Sequence, residues 1–208
     1  MQRDKRVLLA AGFTTRFEHD IDERFGAIGP PGGALEPFVR ALSVEARAAI
    51  RAVVTIGSVP IGADLIALLP ALGVICCRGS GYDGVDIAAV RARGIGVTHG
   101  ADLNASSVAD LAMGLLIASV RNMAVAREAI MQGAWRDDRI HNALRVRGLT
   151  GRRAGIYGLG AIGMRIAQRA AAFEMEVGYH NRHARSDVTY RYFGSLADLA
   201  HWAEVLMI

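Results

Sequence analysis

The chain has 208 residues, 52% of them apolar and 21% charged, with 24 glycines, 5 prolines and a formal net charge of +4. That balance excludes a disordered or fibrous chain, and the length allows one or two domains with a proper buried core. The two cysteines, Cys76 and Cys77, are adjacent and cannot staple distant loops, which excludes a disulfide-built secreted scaffold.

The charge hints at nucleic acid, but its distribution argues otherwise. Lys5 is the only lysine, the arginines are scattered, and aromatic residues make up only 6% with no basic run around them. The first apolar run, Val7–Ala11, is too brief for a signal-peptide core, and the longest, Val108–Val120, carries Asp110. A cytoplasmic protein with no nucleic-acid partner and no membrane association is the expectation.

Short, continuous and often β-branched runs mark the strands: Val7–Ala11, Ala52–Ile56, Val74–Cys77, Gly96–Thr98, Ala154–Tyr157, Val177–His180 and Val205–Ile208. Such runs suit strands buried on both faces, and the helical patterns between them predict an α/β fold with parallel sheets. After Val74–Cys77 comes Arg78-Gly79-Ser80-Gly81-Tyr82-Asp83-Gly84-Val85-Asp86. Glycines on both sides of Ser80 allow consecutive backbone N–H groups to converge into an anion nest suited to a small carboxylate. The same stretch also reads as a plain strand-to-helix turn, with Asp86 capping a short helix that Gly94 ends.

Val108, Leu111, Ala112, Leu115 and Leu116 follow the spacing of an amphipathic helix. Ser107 with Asp110 makes a capping pattern at its start, and Gly133 is the expected stop. One long helix past Arg127 would then bridge two domains, 1–100 and 101–208, with the boundary near His99–Asn104.

The sharpest motif is Gly158-Leu159-Gly160-Ala161-Ile162-Gly163, set between the strand at Ala154–Tyr157 and a helix from Met164, with a returning strand at 176–180. This is the βαβ context of a dinucleotide-binding turn. Gly158 allows the tight turn, Gly160 lets a diphosphate approach the backbone, and Gly163 lets helix and strand pack closely. The helix N-terminus offers N–H groups and partial positive charge to phosphates. The alternative is a glycine-rich turn with no ligand.

The second strand of the unit sets the cofactor's flavour. A carboxylate there would bind the ribose hydroxyls of NAD, but the sequence has His180-Asn181-Arg182-His183-Ala184-Arg185 and no acid until Asp187. Asn181 does not repel a 2′-phosphate, and Arg182 can pair with one. One or two charge-assisted bonds of ~1.5–3 kcal/mol each would bias the site roughly tenfold to several thousandfold. NADP(H) is therefore expected over NAD(H), the alternative being a solvated basic loop. The cofactor-binding set is Gly158, Leu159, Gly160, Ala161, Ile162, Gly163, Asn181, Arg182 and His183.

Ser195 with Asp198 caps a short helix, and Val205–Ile208 then begins an apolar strand in which the chain stops. A doubly wound domain of strand order 3-2-1-4-5-6 would have strands 1, 2 and part of 3 here. The first strand, Ala154–Tyr157, is then expected at an exposed parallel edge, with poor solubility as a result.

These pieces together resemble the D-isomer-specific 2-hydroxyacid dehydrogenases, the group that includes glyoxylate/hydroxypyruvate reductases and formate dehydrogenases. The matching stretches run in family order: Arg78 to Asp86, Arg93-Gly94-Ile95, Val108-Ala109-Asp110-Leu111-Ala112, Gly133-Ala134-Trp135, Arg147-Gly148-Leu149 with Gly151, and Gly158 to Gly163. They cover nearly all of residues 50–208, whereas residues 1–50 match only in a first strand and helix. The resemblance implies two Rossmann-like or flavodoxin-like domains with parallel sheets, the second incomplete. It implies hydride transfer between a nicotinamide cofactor and a small 2-oxoacid or 2-hydroxyacid held in a cleft between the domains. It gives the substrate carboxylate to the backbone N–H groups of Ser80 and Gly81. It gives a further substrate contact to Asn104, which could equally cap the long helix. Family members pair as homodimers through the nucleotide domain, so Val108–Gly133 is expected to serve assembly.

The family's chemistry needs an Arg, a Glu and a proton-donating His in motifs that lie downstream of this chain. None of His19, His99, His141, His180, His183 and His201 has the family's catalytic context. No catalytic residue and no metal site is assigned, and the 208-residue chain alone is expected to be inactive. The competing expectations are a non-catalytic dinucleotide-binding or regulatory protein on the same fold, and the inactive product of a decayed gene.

Overall fold

A computed structural model describes residues 6–134 and 148–208. Trp135, His141 and Arg147, which the sequence reading used, lie outside the described residues. The chain divides into two compact units, Met1–Leu103 and Asn104–Ile208.

The first unit runs β1 (Val7–Leu9), α1 (Thr15–Phe25), β2 (Ala27–Ile28), α2 (Leu35–Ala41), α3 (Val44–Ala49), β3 (Ala52–Thr55), α4 (Ala63–Ala67), β4 (Val74–Cys77), α5 (Ile87–Ala92) and β5 (Gly96–His99). Every pairing is parallel, in the order β2-β1-β3-β4-β5, which is the flavodoxin-like arrangement. Leu8, Val53 and Ile75 stand side by side in register. All three are fully buried, in one cluster with Leu65 and Ile66 of α4 and Val90 of α5. Their neighbours in sequence, Val7, Leu9 and Val54, join a second cluster with Phe17 and Ile21 of α1. Burial on both faces explains why these strands read as continuous apolar runs. The two-residue β2 has no such run and was not expected.

The second unit runs α6 (Ala105–Val120), α7 (Met123–Met131), β6 (Arg153–Tyr157), α8 (Ala161–Ala172), β7 (Glu176–His180), β8 (Arg191–Tyr192), α9 (Leu196–Trp202) and β9 (Val205–Met207). Ala109, Met113 and Leu116 of α6 share a core cluster with Ile166, Ala167 and Ala170 of α8. Arg169 joins the two helices, its Nε donating to Asp110 Oδ1 at 2.7 Å and its Nη2 to Ser106 Oγ at 2.9 Å.

Three expectations are corrected here. The long helix is two: Asn122 takes left-handed angles (φ 48°, ψ 41°), and the axes of α6 and α7 differ by 61°. Asparagine tolerates that conformation better than most residues, so the break needs neither glycine nor proline. The helix also starts at Ala105, with Asn104 at the N-cap position, which puts Ser107 inside it. Ser107 and Asp110 are therefore no cap, and Asp110 serves Arg169 instead.

The third correction concerns the sheet. Its order is β8-β7-β6-β9, all parallel. The short β8 takes the third place, so β9 crosses to the open side of β6 as the fourth strand. The strand at 153–157 is thus interior, and β9 forms the edge. Among the described residues no single helix is long and apolar enough to cross a membrane.

Candidate functional site

The turn at 158–163 leaves the C-terminal end of β6 and enters α8. It lies where the strand order reverses between β6 and β9, the position at which open parallel sheets receive ligands. Gly158 has φ +98°, outside the range of L side chains. A Cβ on Gly163 would stand 2.0 Å from the Gly158 carbonyl oxygen, so helix and strand meet only because that side chain is missing. A Cβ on Gly160 would meet nothing within 4 Å, so open space faces the N-cap residue of α8. The first amides of a helix lack intrahelical acceptors, and those of α8 begin just after this residue. The donors, the room and the helix dipole together fit a diphosphate. Leu159 turns inward and is 1% exposed.

The loop after β7 is fastened to this turn. Asn181 Oδ1 accepts the Leu159 N–H at 2.7 Å, and Arg185 Nη1 donates to the Leu159 carbonyl at 2.8 Å. Arg185 is itself held by the Asp187 carboxylate, through Nε at 2.9 Å and Nη2 at 2.5 Å. Its backbone N–H donates to the buried Tyr179 phenol at 2.8 Å. The hydrogen bond from Arg185 holds the Asp187 carboxyl below its ordinary range, so the only acid of the loop is spoken for. Arg182 and His183, between the two fastenings, are exposed.

Of the residues expected to touch a cofactor, the structure thus brings Gly158–Gly163 and Asn181 together through Leu159. Asn181 has a structural task in addition to being neutral. Arg185 was missed, because a side chain reaching a backbone carbonyl 26 residues away leaves no local trace in the sequence.

In the first unit, the turn after β4 is braced on several sides. The Gly79 N–H donates to the Cys77 carbonyl at 3.0 Å, which removes it from any anion nest and narrows the expected one to Ser80 and Gly81. His99 Nδ1 lies 3.1 Å from the Ser80 carbonyl oxygen, and the His99 ring packs on Tyr82 at 5.1 Å between centroids. Gly57, which sequence reasoning passed over, matters here. A Cβ on it would lie 1.9 Å from the Gly81 carbonyl oxygen, and its φ is +83°. Asp86 caps α5 as expected, accepting the Ala89 N–H at 3.0 Å. Asn104 opens the second unit at the N-cap position of α6, without a side-chain capping bond. Among the described residues no group of three or more His, Cys, Asp or Glu could hold a metal ion.

Residues 113–208 match the family model described as D-isomer specific 2-hydroxyacid dehydrogenase, NAD binding domain. A hydroxyphenylpyruvate reductase of Plectranthus scutellarioides is 32% identical over 202 residues, which are 97% of this chain and 63% of that protein. Among solved structures, a dehydrogenase from Rhizobium meliloti is 32% identical with a TM-score of 0.78, over 96% of this chain and 68% of that one. The NADPH-dependent glyoxylate/hydroxypyruvate reductase of Sinorhizobium meliloti, in complex with NADP and malonate, is 28% identical with a TM-score of 0.80, over 98% of this chain and 61% of that one. The chain therefore spans about 63% of the length of the curated relatives it matches over most of its own.

Proposed function

Because this chain belongs to the D-isomer-specific 2-hydroxyacid dehydrogenase family, we propose that it forms part of the cofactor-holding domain and part of the substrate-holding domain of an NAD(P)-dependent oxidoreductase. The reaction is hydride transfer between a nicotinamide and a small 2-oxoacid or 2-hydroxyacid. The observation that carries this reading is the open space over Gly160 at the N-terminus of α8, beside the strand-order reversal of a parallel sheet. The nicotinamide cofactor, when bound, would supply the hydride to a 2-oxoacid or accept it from a 2-hydroxyacid.

The chain's own residues bind and orient. The amides of Gly160, Ala161 and Ile162 hold the diphosphate, with Gly158 and Gly163 shaping the turn and Leu159 anchoring it in the core. The Ser80 and Gly81 amides of the first unit hold the substrate carboxylate, and Asn104, the N-cap residue of α6, supplies a further substrate contact. The Sinorhizobium meliloti relative, with its malonate, is in keeping with carboxylate recognition. No residue of this chain is assigned to proton transfer. The roles divide along the chain, substrate in residues 1–100 and cofactor in residues 101–208, with Asn104 the one substrate contact in the latter.

NADP(H) is the preferred cofactor in this reading. Arg182 and His183 are exposed between the two fastenings of their loop, and Asp187 is neutralised by Arg185. The family resemblance and the exposed apolar residues of α6 and α7 support homodimerisation. The test is calorimetric titration of the protein with NADPH and with NADH, repeated with Arg182→Ala. Tighter NADPH binding, reduced toward the NADH value in the variant, is expected. Equal affinities in the parent protein would sink the preference, and binding of neither would sink the function.

A further inference from the structure

We propose that Asn181 and Arg185 are positioning residues, tying the loop that reads the cofactor's 2′ position to the turn that holds its diphosphate. The inference rests on the cofactor reading above and adds a mechanism to it. Leu159 sits between two glycines, so nothing in its neighbours fixes the orientation of its peptide groups. Its N–H belongs to one peptide plane and its carbonyl to the next, and each is held from outside. Asn181 holds the first at 2.7 Å and Arg185 the second at 2.8 Å.

The second contact has the larger consequence. A trans peptide is rigid, with its C=O and N–H pointing in opposite directions. Fixing the Leu159 carbonyl on Arg185 therefore aims the Gly160 N–H away from the guanidinium, and on the cofactor reading above that amide is one of the diphosphate's donors. A cation on the carbonyl also polarises the peptide and makes that N–H a stronger donor. Arg185 can serve as a fixed point because Asp187 holds its Nε and Nη2 and Tyr179 holds its backbone N–H. Arg182 and His183 lie on the short span between the two anchors. A grip on a 2′-phosphate there and a grip on the diphosphate at Gly160 reach the same residue, Leu159.

The prediction concerns binding as well as its cooperativity. Losing one charge-assisted hydrogen bond of this kind corresponds to about a 10–100-fold loss in affinity. Arg185→Ala should weaken NADPH and NADH alike within that range, although Arg185 touches neither. In a double-mutant cycle read with NADPH, Arg182→Ala and Arg185→Ala together should cost less than the product of their separate losses. Arg185→Lys, which keeps a donor but not the fork, should recover part of the loss. If Arg185→Ala does not fold, Asp187→Asn, which frees the guanidinium, should give a smaller loss of the same kind with the Gly160 amide resonance displaced in the free protein. Unchanged affinities for both dinucleotides in a folded Arg185→Ala, or in Asp187→Asn where Arg185→Ala does not fold, would overturn the proposal. A parent protein that binds neither dinucleotide would instead remove the cofactor reading beneath it.

Discussion

Gly163 and Gly158 approach so closely that a Cβ on the first would lie 2.0 Å from the carbonyl oxygen of the second. This contact seats the first turn of α8 on the end of β6 and so sets where the helix amides point. Two alanine substitutions five ångströms or so apart by helix geometry should therefore behave differently. Gly163→Ala overpacks a backbone contact and should cost about 1–3 kcal/mol, with loss of dinucleotide binding. Gly160→Ala places its methyl in open space at φ −81°, an ordinary angle for alanine, so stability should change by no more than about 0.5 kcal/mol. Binding should nonetheless fall, because the methyl occupies the approach. Thermal denaturation and NADPH titration of both variants check this, and equal stability losses would contradict it.

The junction of β9 with β6 should be sensitive to acid. Glu204 Oε2 accepts the Arg153 N–H at 3.2 Å, and its carboxylate lies 3.6 Å from Arg152 Nε and 3.7 Å from Arg153 Nε. That backbone hydrogen bond first, and then the two arginine charges, hold the Glu204 carboxyl below its ordinary range. A carboxyl depressed on folding stabilises the fold above its unfolded value, and the contribution is lost as pH falls through the folded one. The melting-temperature gap between the parent and Glu204→Gln should thus be largest near neutrality and close in acid. A gap that widens in acid would contradict this assignment.

The proposed homodimer has a defined face. Leu111 and Leu115, one helical turn apart on α6, are each 62% exposed, and Ile130 and Met131 of α7 are exposed as well. Large apolar side chains left this exposed on neighbouring helices favour a partner. Sedimentation analysis should show a dimer for the parent, and a monomer for Leu111→Asp with Leu115→Asp that still binds NADPH. A parent that sediments as a monomer at all concentrations would contradict the dimer.

Most of the sheet framework is legible in the sequence because doubly buried strands are written as short apolar runs. Val74–Cys77 appears at the expected bounds, and Ala154–Tyr157 gains only Arg153. The glycine turn is legible because each glycine answers a steric demand made by residues close in sequence. The strand order of the second sheet is not, since it depends on Arg191–Tyr192, two exposed residues with no apolar signature. Nor is the break at Asn122, where one asparagine takes an angle that most residues avoid. Gly57 and Arg185 escape for a common reason. Their partners, Gly81 and Leu159, are 24 and 26 residues away, and only the folded chain brings them within reach.

The central claim is that a nicotinamide dinucleotide seats its diphosphate on the N-terminus of α8. Backbone amide resonances of the isotope-labelled protein, followed as NADPH is added to saturation, test it most directly. The expected result is a large shift of the Gly160, Ala161 and Ile162 amides, accompanied by those of Arg182 and His183. Saturation with those three amides unmoved, or with the shifts confined to another surface, would contradict it.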